Sequence, residues 1–462
     1  MVAPVHRLSR AGVVLVVASA LATLAVSASA GPPGHWTQIT REHSGATSNL
    51  GLARGKDGTL HVLWAGPARR AFTAIFDTPI SPAGVVGGRQ TVTSGWVGVN
   101  APAAVALPDG SIHGVISGQK VNSNTDPHAG LNEVVGPGKW TLGAQAFGKY
   151  SITVPSNANV GSAALKGGEL VTVWTSGPTM LLQTGVDPAT QPQDITPRND
   201  PVANPVIAVD QATGAAVIAY HGVSSGSVFF RQVLPSLGAP RAMPQSKTNG
   251  PSIAARAGGG VYAAYTPDGT KVWLLRFGGR PQPTPVPKGA RVLTAGVAAG
   301  PEGRLWVFYG DERTTWVTRT NKTVSGFEPV QALKSPPGTL QYFRLEGEGS
   351  AGPLDLFADV TVDGKTKDGS YHQQVQPALS VGATTKPVKN AQGKVTGVRV
   401  TVRVTDAGDG VQGARVSGLP GRVKPTDATG SIVFVAPAGK KGTFVLTATK
   451  AGYVAAKGKL VL

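Results

Sequence analysis

No cysteine occurs anywhere in the 462 residues. A disulfide framework and thiolate metal ligation are therefore excluded, and cohesion has to come from packing and hydrogen bonding. Acidic residues are scarce, 25 against 43 Lys and Arg, which leaves a formal net charge of +18. After the N-terminal region no apolar run is long enough for a membrane span, and no stretch keeps a helical hydrophobic period. A nucleophile elbow, a phosphate-binding loop and a dinucleotide fingerprint are all missing. No His cluster has zinc-ligand spacing. Neither a metal nor a cofactor is implied.

The abundant residues are glycine, 62, and proline, 36, a composition suited to many short strands joined by tight turns. At the N-terminus Arg7 and Arg10 precede the apolar run VVLVVASALATLAVSA, which closes on Ala28, Ser29 and Ala30 before Gly31. A basic flank, an apolar segment and a small-x-small site are the three parts of a secretory signal peptide. Residues 1–30 are expected to be that signal, and the mature chain to be extracellular, with no membrane span after cleavage. Removing the signal leaves the chain basic. The surplus reads as spread along the chain without a long run, which disfavours a specific nucleic-acid arm. Diffuse attraction to anionic cell-surface polymer or acidic polysaccharide is one consequence, and simple solubility is the other reading.

A repeat organises the body. It is seen in NLGLARGKDGTLHVLW from Asn49, NAPAAVALPDGSIHGVI from Asn100, NVGSAALKGGELVTVW from Asn159, NPVIAVDQATGAAVIAY from Asn204 and NGPSIAARAGGGVYAAY from Asn249. A sixth copy runs TAGVAAGPEGRLWVFY from Thr294, and a degraded seventh RLEGEGSAGPLDLFAD from Arg344. In the first six, a small-apolar strand leads to a turn glycine: Gly58, Gly110, Gly168, Gly214, Gly259 or Gly303. Six residues on stands a bulky residue: Trp64, Ile116, Trp174, Tyr220, Tyr265 or Tyr309. Such pairs of apolar runs are hairpins. Third strands such as SVFFRQV and KVWLLRF follow, then proline-rich fourth segments such as PQPTPVP, where proline suits an exposed sheet edge.

Units of this length and content predict an all-β fold, a seven-bladed β-propeller over residues 31–378, with six blades as the alternative. The seventh unit lacks a fourth strand. Residues 35–40, HWTQIT, belong to no unit and are expected to complete it, fastening the two ends of the ring.

After a linker at residues 379–386 the pattern changes to longer alternating strands: VTGVRVTVRVTD, GSIVFVA and GTFVLTATKAGY. With TDAGDGVQGARV and TDATGSIVF they resemble the bacterial immunoglobulin-like and carboxypeptidase-regulatory-like modules of secreted proteins. The resemblance implies a small β-sandwich at residues 387–462, used as a spacer or adhesion unit. Asp406, Asp409 and Asp427 read either as turn formers or as calcium ligands.

Candidate ligand-binding residues lie where inner strands begin and second strands pass to third. The repeated Asn49, Asn100, Asn159, Asn204 and Asn249 would ring the axis. There they either hydrogen-bond sugar hydroxyls or fix their own turns. His221, Asp311, Glu312 and Arg313 join the same face, as ligand groups or as a solvated turn with a local ion pair. His61 and His113, inside strands, read as packing residues. The body also resembles the sialidase-like propeller superfamily, through unit length, Gly-turn hairpins and arginine-bearing third strands. That resemblance implies a tyrosine nucleophile and an arginine cluster, to which Arg54, Arg256, Arg313 and Arg344 are the candidates. The Asp-box turn of that superfamily is absent, and its early Phe/Tyr-Arg-Ile-Pro segment is echoed only by Tyr342, Phe343, Arg344 and Leu345. The sequence therefore points first to a secreted binding or adhesion protein for glycan or anionic polymer. An exported glycosidase is the alternative.

Overall fold

The computed structural model describes residues 34–40, 50–68, 72–99, 102–121, 126, 129–147, 160–187, 189–198, 200–246, 251–336, 342–361, 369–419 and 425–462. The expected signal peptide lies outside the described residues. Among those described the chain is all-β, with one short 3-10 turn at Pro301–Gly303 and no helix long and apolar enough to cross a membrane.

The repeat becomes a series of seven antiparallel sheets, mostly four-stranded. One sheet runs Gly51–Arg54, Leu60–Pro67, Thr73–Ile80 and Gln90–Trp96, each strand bonded to the next. The turn glycines do what the sequence requires of them: Gly58, Gly110, Gly168, Gly214, Gly259 and Gly303 all have positive φ, between 77° and 104°. An L-residue is strained there, and glycine is not. The bulky residues six positions later are all buried, none more than 3% exposed.

The sheets close on themselves. Their first strands are neighbours in chain order, from Gly51–Arg54 round to Tyr342–Glu348, which lies beside Gly51–Arg54 again. A core cluster fills each gap between adjacent sheets. Tyr220 packs with Val171 between the third and fourth, and Trp306 with Leu356 between the sixth and last. Leu60 and Phe357 join first to last. No sheet buries both faces alone, and a ring of them does.

The N-terminal strand Thr37–Gln38 pairs antiparallel with Gly369–Val375, placing Thr37 opposite His372 and Gln38 opposite Tyr371. It is the outermost strand of the last sheet, whose other three come from the far end of the ring. Behind this seam Arg54 donates to Glu348 and to Asp355, each at 2.5 Å, and Asp355 is also bonded to His372 at 2.8 Å.

Residues 380–386, expected as a linker, are not one. They open the strand Ser380–Lys389, which pairs with Val395–Asp406 along its length. Val381 and Ala383, half-buried opposite the buried Val404 and Val402, pack this strand against the core, so it folds as sheet. Its sheet and a second one, built on Arg415–Ser417, Thr443–Thr449 and Ala456–Val461, enclose a core of Val400, Val402, Ile432, Leu446 and Leu460.

Candidate functional site

The first strands of the ring surround an axial cavity of about 500 Å³. Small residues form part of its wall, among them Gly51, Ala103, Ala104, Gly161, Ser162 and Ala295, beside aliphatic ones such as Leu52, Val206 and Ile207. Small side chains are required here. A Cβ on Gly51 would stand 3.0 Å from that of Ala104, and one on Gly161 would stand 3.1 Å from the Pro205 carbonyl.

Two charged side chains stand out in this wall, Arg344 and Glu346, both on the last inner strand and two residues apart, so that they share one face of the sheet. Arg344 Nε lies 3.1 Å from Glu346 Oε1. The backbone N–H of Leu50, from the first sheet, donates to Glu346 Oε2 at 3.0 Å. Burial pushes the Glu346 carboxyl up to about 6, against the pull of the Arg344 guanidinium and with a push from Asp359. The polar pole of the cavity therefore sits at the ring seam. Tyr265 also lines the cavity, only 2% exposed, and its buried hydroxyl has no hydrogen-bond partner among the described residues. Burial holds that phenol above its ordinary range.

Of the nine residues singled out from sequence, Asn49, Asn100, Asn159 and Asn249 lie outside the described residues. Asn204 adopts a left-handed conformation, φ 52°, at a register shift in the strand Val202–Asp210. Asn tolerates that conformation because its short polar side chain bonds locally. The cavity wall of this sheet is instead Val206 and Ile207. His221 is half-buried opposite Ala203. Asp311 Oδ1 accepts the N–H groups of Arg313 and Thr314 at 2.8 and 2.9 Å, closing its own turn. Glu312 lies 3.4 Å from Arg291. Arg313 accepts the N–H of Ser335 through its carbonyl at 3.0 Å. None of these five lines the cavity.

The arginines do not converge. Arg54 is tied to Glu348 and Asp355, and Arg256 to the carbonyls of Gly303 and Lys322. Arg344 alone reaches the cavity. Nor are His61 and His113 simple packing residues. His61 Nδ1 is 2.8 Å from Asp77 and His113 Nδ1 2.5 Å from Glu133, each bridging second and third strands. Ser111 Oγ lies 2.9 Å from His113 Nε2, a Ser–His–Glu order of contacts. That hydroxyl is also 2.6 Å from Asp109, within the turn Asp109–Gly110–Ser111. The first sheet repeats the pattern as Asp57, Thr59, His61 and Asp77, so it is a recurring turn-and-strand brace.

Glu346 was not visible as a site residue because the first six units have no counterpart to it. Its signal was a carboxylate within a strand otherwise expected to be small and apolar.

No family model matches the chain, and no curated protein matches it. Among solved structures it is similar to a polysaccharide lyase, at TM-score 0.44 and 10% identity over 74% of this chain and 99% of that one. It is also similar to an α-L-arabinanase of Penicillium chrysogenum complexed with arabinobiose (TM-score 0.40, 13% identity, 73% and 96% covered). The Dos1 propeller gives 0.39 and 11%, with 71% and 78% covered. At these scores the likeness has no bearing on activity, and the fold described above rests on strand pairing alone.

Proposed function

We propose that this is a secreted saccharide-binding protein that holds one end or one segment of its ligand in the axial cavity. The seven sheets are read as the blades of a seven-bladed propeller, and the C-terminal pair of sheets as a small immunoglobulin-like sandwich acting as an adhesion module. The observation that carries the reading is the cavity itself. Its wall mixes small residues with aliphatic ones such as Leu52, Val206 and Ile207, and it carries one ion-paired carboxylate. Hydroxyl-rich ligands pair with such groups, and small wall residues leave room for a ring.

A diverged glycosidase remains the second reading, favoured by the Glu346 carboxyl at about 6, a value suited to proton donation. Conventional hydrolysis needs a second carboxylate facing the first across the bond. Among the described residues lining the cavity Glu346 is the one carboxylate, which supports binding over turnover.

The test is calorimetric titration of residues 31–462 with oligosaccharides first identified on a glycan array. Each ligand is also checked for reducing-end release. Binding without release, weakened at least tenfold in Glu346→Gln, is the expected outcome. Release lost in the same variant would replace the binder with an enzyme. Undiminished binding in that variant would move the site away from the axis.

A further inference from the structure

The positive charge is not spread evenly, contrary to the expectation from sequence. Residues 379–462 hold thirteen Lys and Arg against three Asp and no Glu, a surplus of ten out of the chain's eighteen. Folding then withdraws Asp406 and Asp409 from the module's open surface and leaves Asp427 exposed. Asp406 is buried against the ring, 2.5 Å from Arg319 and 3.7 Å from Arg304. Asp409 is 2.7 Å from Arg304 and accepts the N–H of Lys322. Asp427 closes a turn, accepting the N–H groups of Thr429 and Ser431, both at 2.9 Å.

The outer face of the sheet Ser380–Lys389, Val395–Asp406 and Ser431–Pro437 is left with cations and hydroxyls. Strand register sets Lys386 opposite Arg399, Thr384 opposite Thr401 and Gly382 opposite Arg403. On the other side Val435 stands against Arg399, Val433 against Thr401 and Ser431 against Arg403. Lys386, Arg399 and Arg403 are exposed, and so are Val433 and Val435, at 57% and 55%. A shallow trough of about 750 Å³ crosses the face over Thr384, Thr401, Arg403 and Ser431. Arg399 and Arg403 are four residues apart on one strand, roughly 13 Å.

We propose that this face binds a linear acidic polysaccharide, with Arg399 and Arg403 each taking a carboxylate, Lys386 adding charge, and the threonines meeting the sugar rings. The guanidinium fork matches a carboxylate, and like-charged side chains without intervening acids repel one another unless a polyanion lies across them. No aromatic ring stands on this face among the described residues, so the bases of a single-stranded nucleic acid have nothing to stack on. The proposal rests on the saccharide-binding reading and adds a second site, remote from the axis.

The experiment titrates residues 31–462 with polygalacturonate oligomers, neutral dextran and oligo-dT at several salt concentrations. Expected is polygalacturonate binding that weakens with salt and exceeds binding of the other two. The triple variant Lys386→Ser, Arg399→Ser, Arg403→Ser lowers it at least tenfold and flattens the salt dependence. Val433→Lys, which adds a cation to an exposed position, tightens it and keeps the proposal testable should the triple variant fold poorly. Wild-type affinity in the triple variant overturns the face while sparing the axial site. Oligo-dT binding tighter than polygalacturonate overturns the ligand class. Failure of wild type to bind polygalacturonate, with axial oligosaccharide binding intact, ends the proposal but not the function above.

Discussion

Arg319 of the ring and Asp406 of the C-terminal module meet at 2.5 Å across eighty-seven residues of sequence, with both side chains buried. The Arg319 guanidinium also lies 4.9 Å over the Trp306 ring, and Arg304 reaches the same carboxylate and its neighbour Asp409. The module is docked through ion pairs. A buried pair adds little net stability while whole, because desolvation offsets the attraction, but losing one partner strands the other charge. Arg319→Met is therefore expected to cost about 3–5 kcal/mol. It should also expose the segment near Ala378 to protease. Calorimetry and limited proteolysis check both, and an unshifted melting curve would refute the docking role.

Glu328 sits beside this junction, its Oε2 accepting the Ala378 N–H at 2.9 Å. Burial raises its carboxyl to about 8, partly countered by Arg319. A raised carboxyl binds its proton more tightly folded than unfolded. Stability therefore declines as pH rises from the ordinary carboxylate range, and the loss is complete above about 8. Melting temperature should fall across that window, and Glu328→Gln should flatten the fall. A variant with the wild-type slope would assign the pH dependence elsewhere.

Glu346 offers a pH test of binding. Below about 6 the carboxyl is protonated, and Arg344 loses its anionic partner in the cavity. Axial oligosaccharides should bind more weakly at pH 5 than at pH 7, and Glu346→Gln should show the pH 5 affinity at both. Titration at the two pH values decides it, and equal affinities in wild type would count against Glu346 as a ligand-binding group.

Tyr265→Phe removes only a hydroxyl that no group among the described residues bonds and that has no surface open to the cavity. Since burying an unpaired polar atom is costly, stability should hold or rise by about 1 kcal/mol by calorimetry. Ligand affinity should be unchanged. Lower stability would mean the hydroxyl serves the fold, and weaker binding that the ligand reaches it.

Deleting residues 34–40 removes the strand that pairs with Gly369–Val375 and the bond from Trp36 Nε1 to the Lys334 carbonyl. Without disulfides this seam holds the ring shut together with the Arg54 pairs. The whole ring should melt earlier, in one transition, as followed by circular dichroism. A wild-type melting temperature would show that the closing strand is dispensable.

Much of the architecture is a local matter, and so the sequence determined it. A glycine at a positive-φ turn between two apolar runs can make only a hairpin, and Gly58 or Gly168 says so without its neighbours. Trp174 and Tyr220, at a constant offset from such turns, mark the buried side of each sheet. The overhanging segment at residues 35–40 could be matched to the missing fourth strand by counting. The linker was misplaced because Ser380–Lys389 owes its strand to pairing with Val395–Asp406, beyond a turn, and composition does not display that pairing.

Only the tertiary structure decided what the charged residues do. Asp406 and Asp409 look like turn formers until Arg319 and Arg304 arrive from the ring. Glu346 looks like one acid in a degraded repeat until closure brings the Leu50 N–H of the first sheet against it. Asp311 looked like a site residue and instead closes its own turn. Backbone preference acts over a few residues and is written in the local sequence. Electrostatic partnership depends on which distant strands become neighbours and on how much water they exclude, and folding alone sets both.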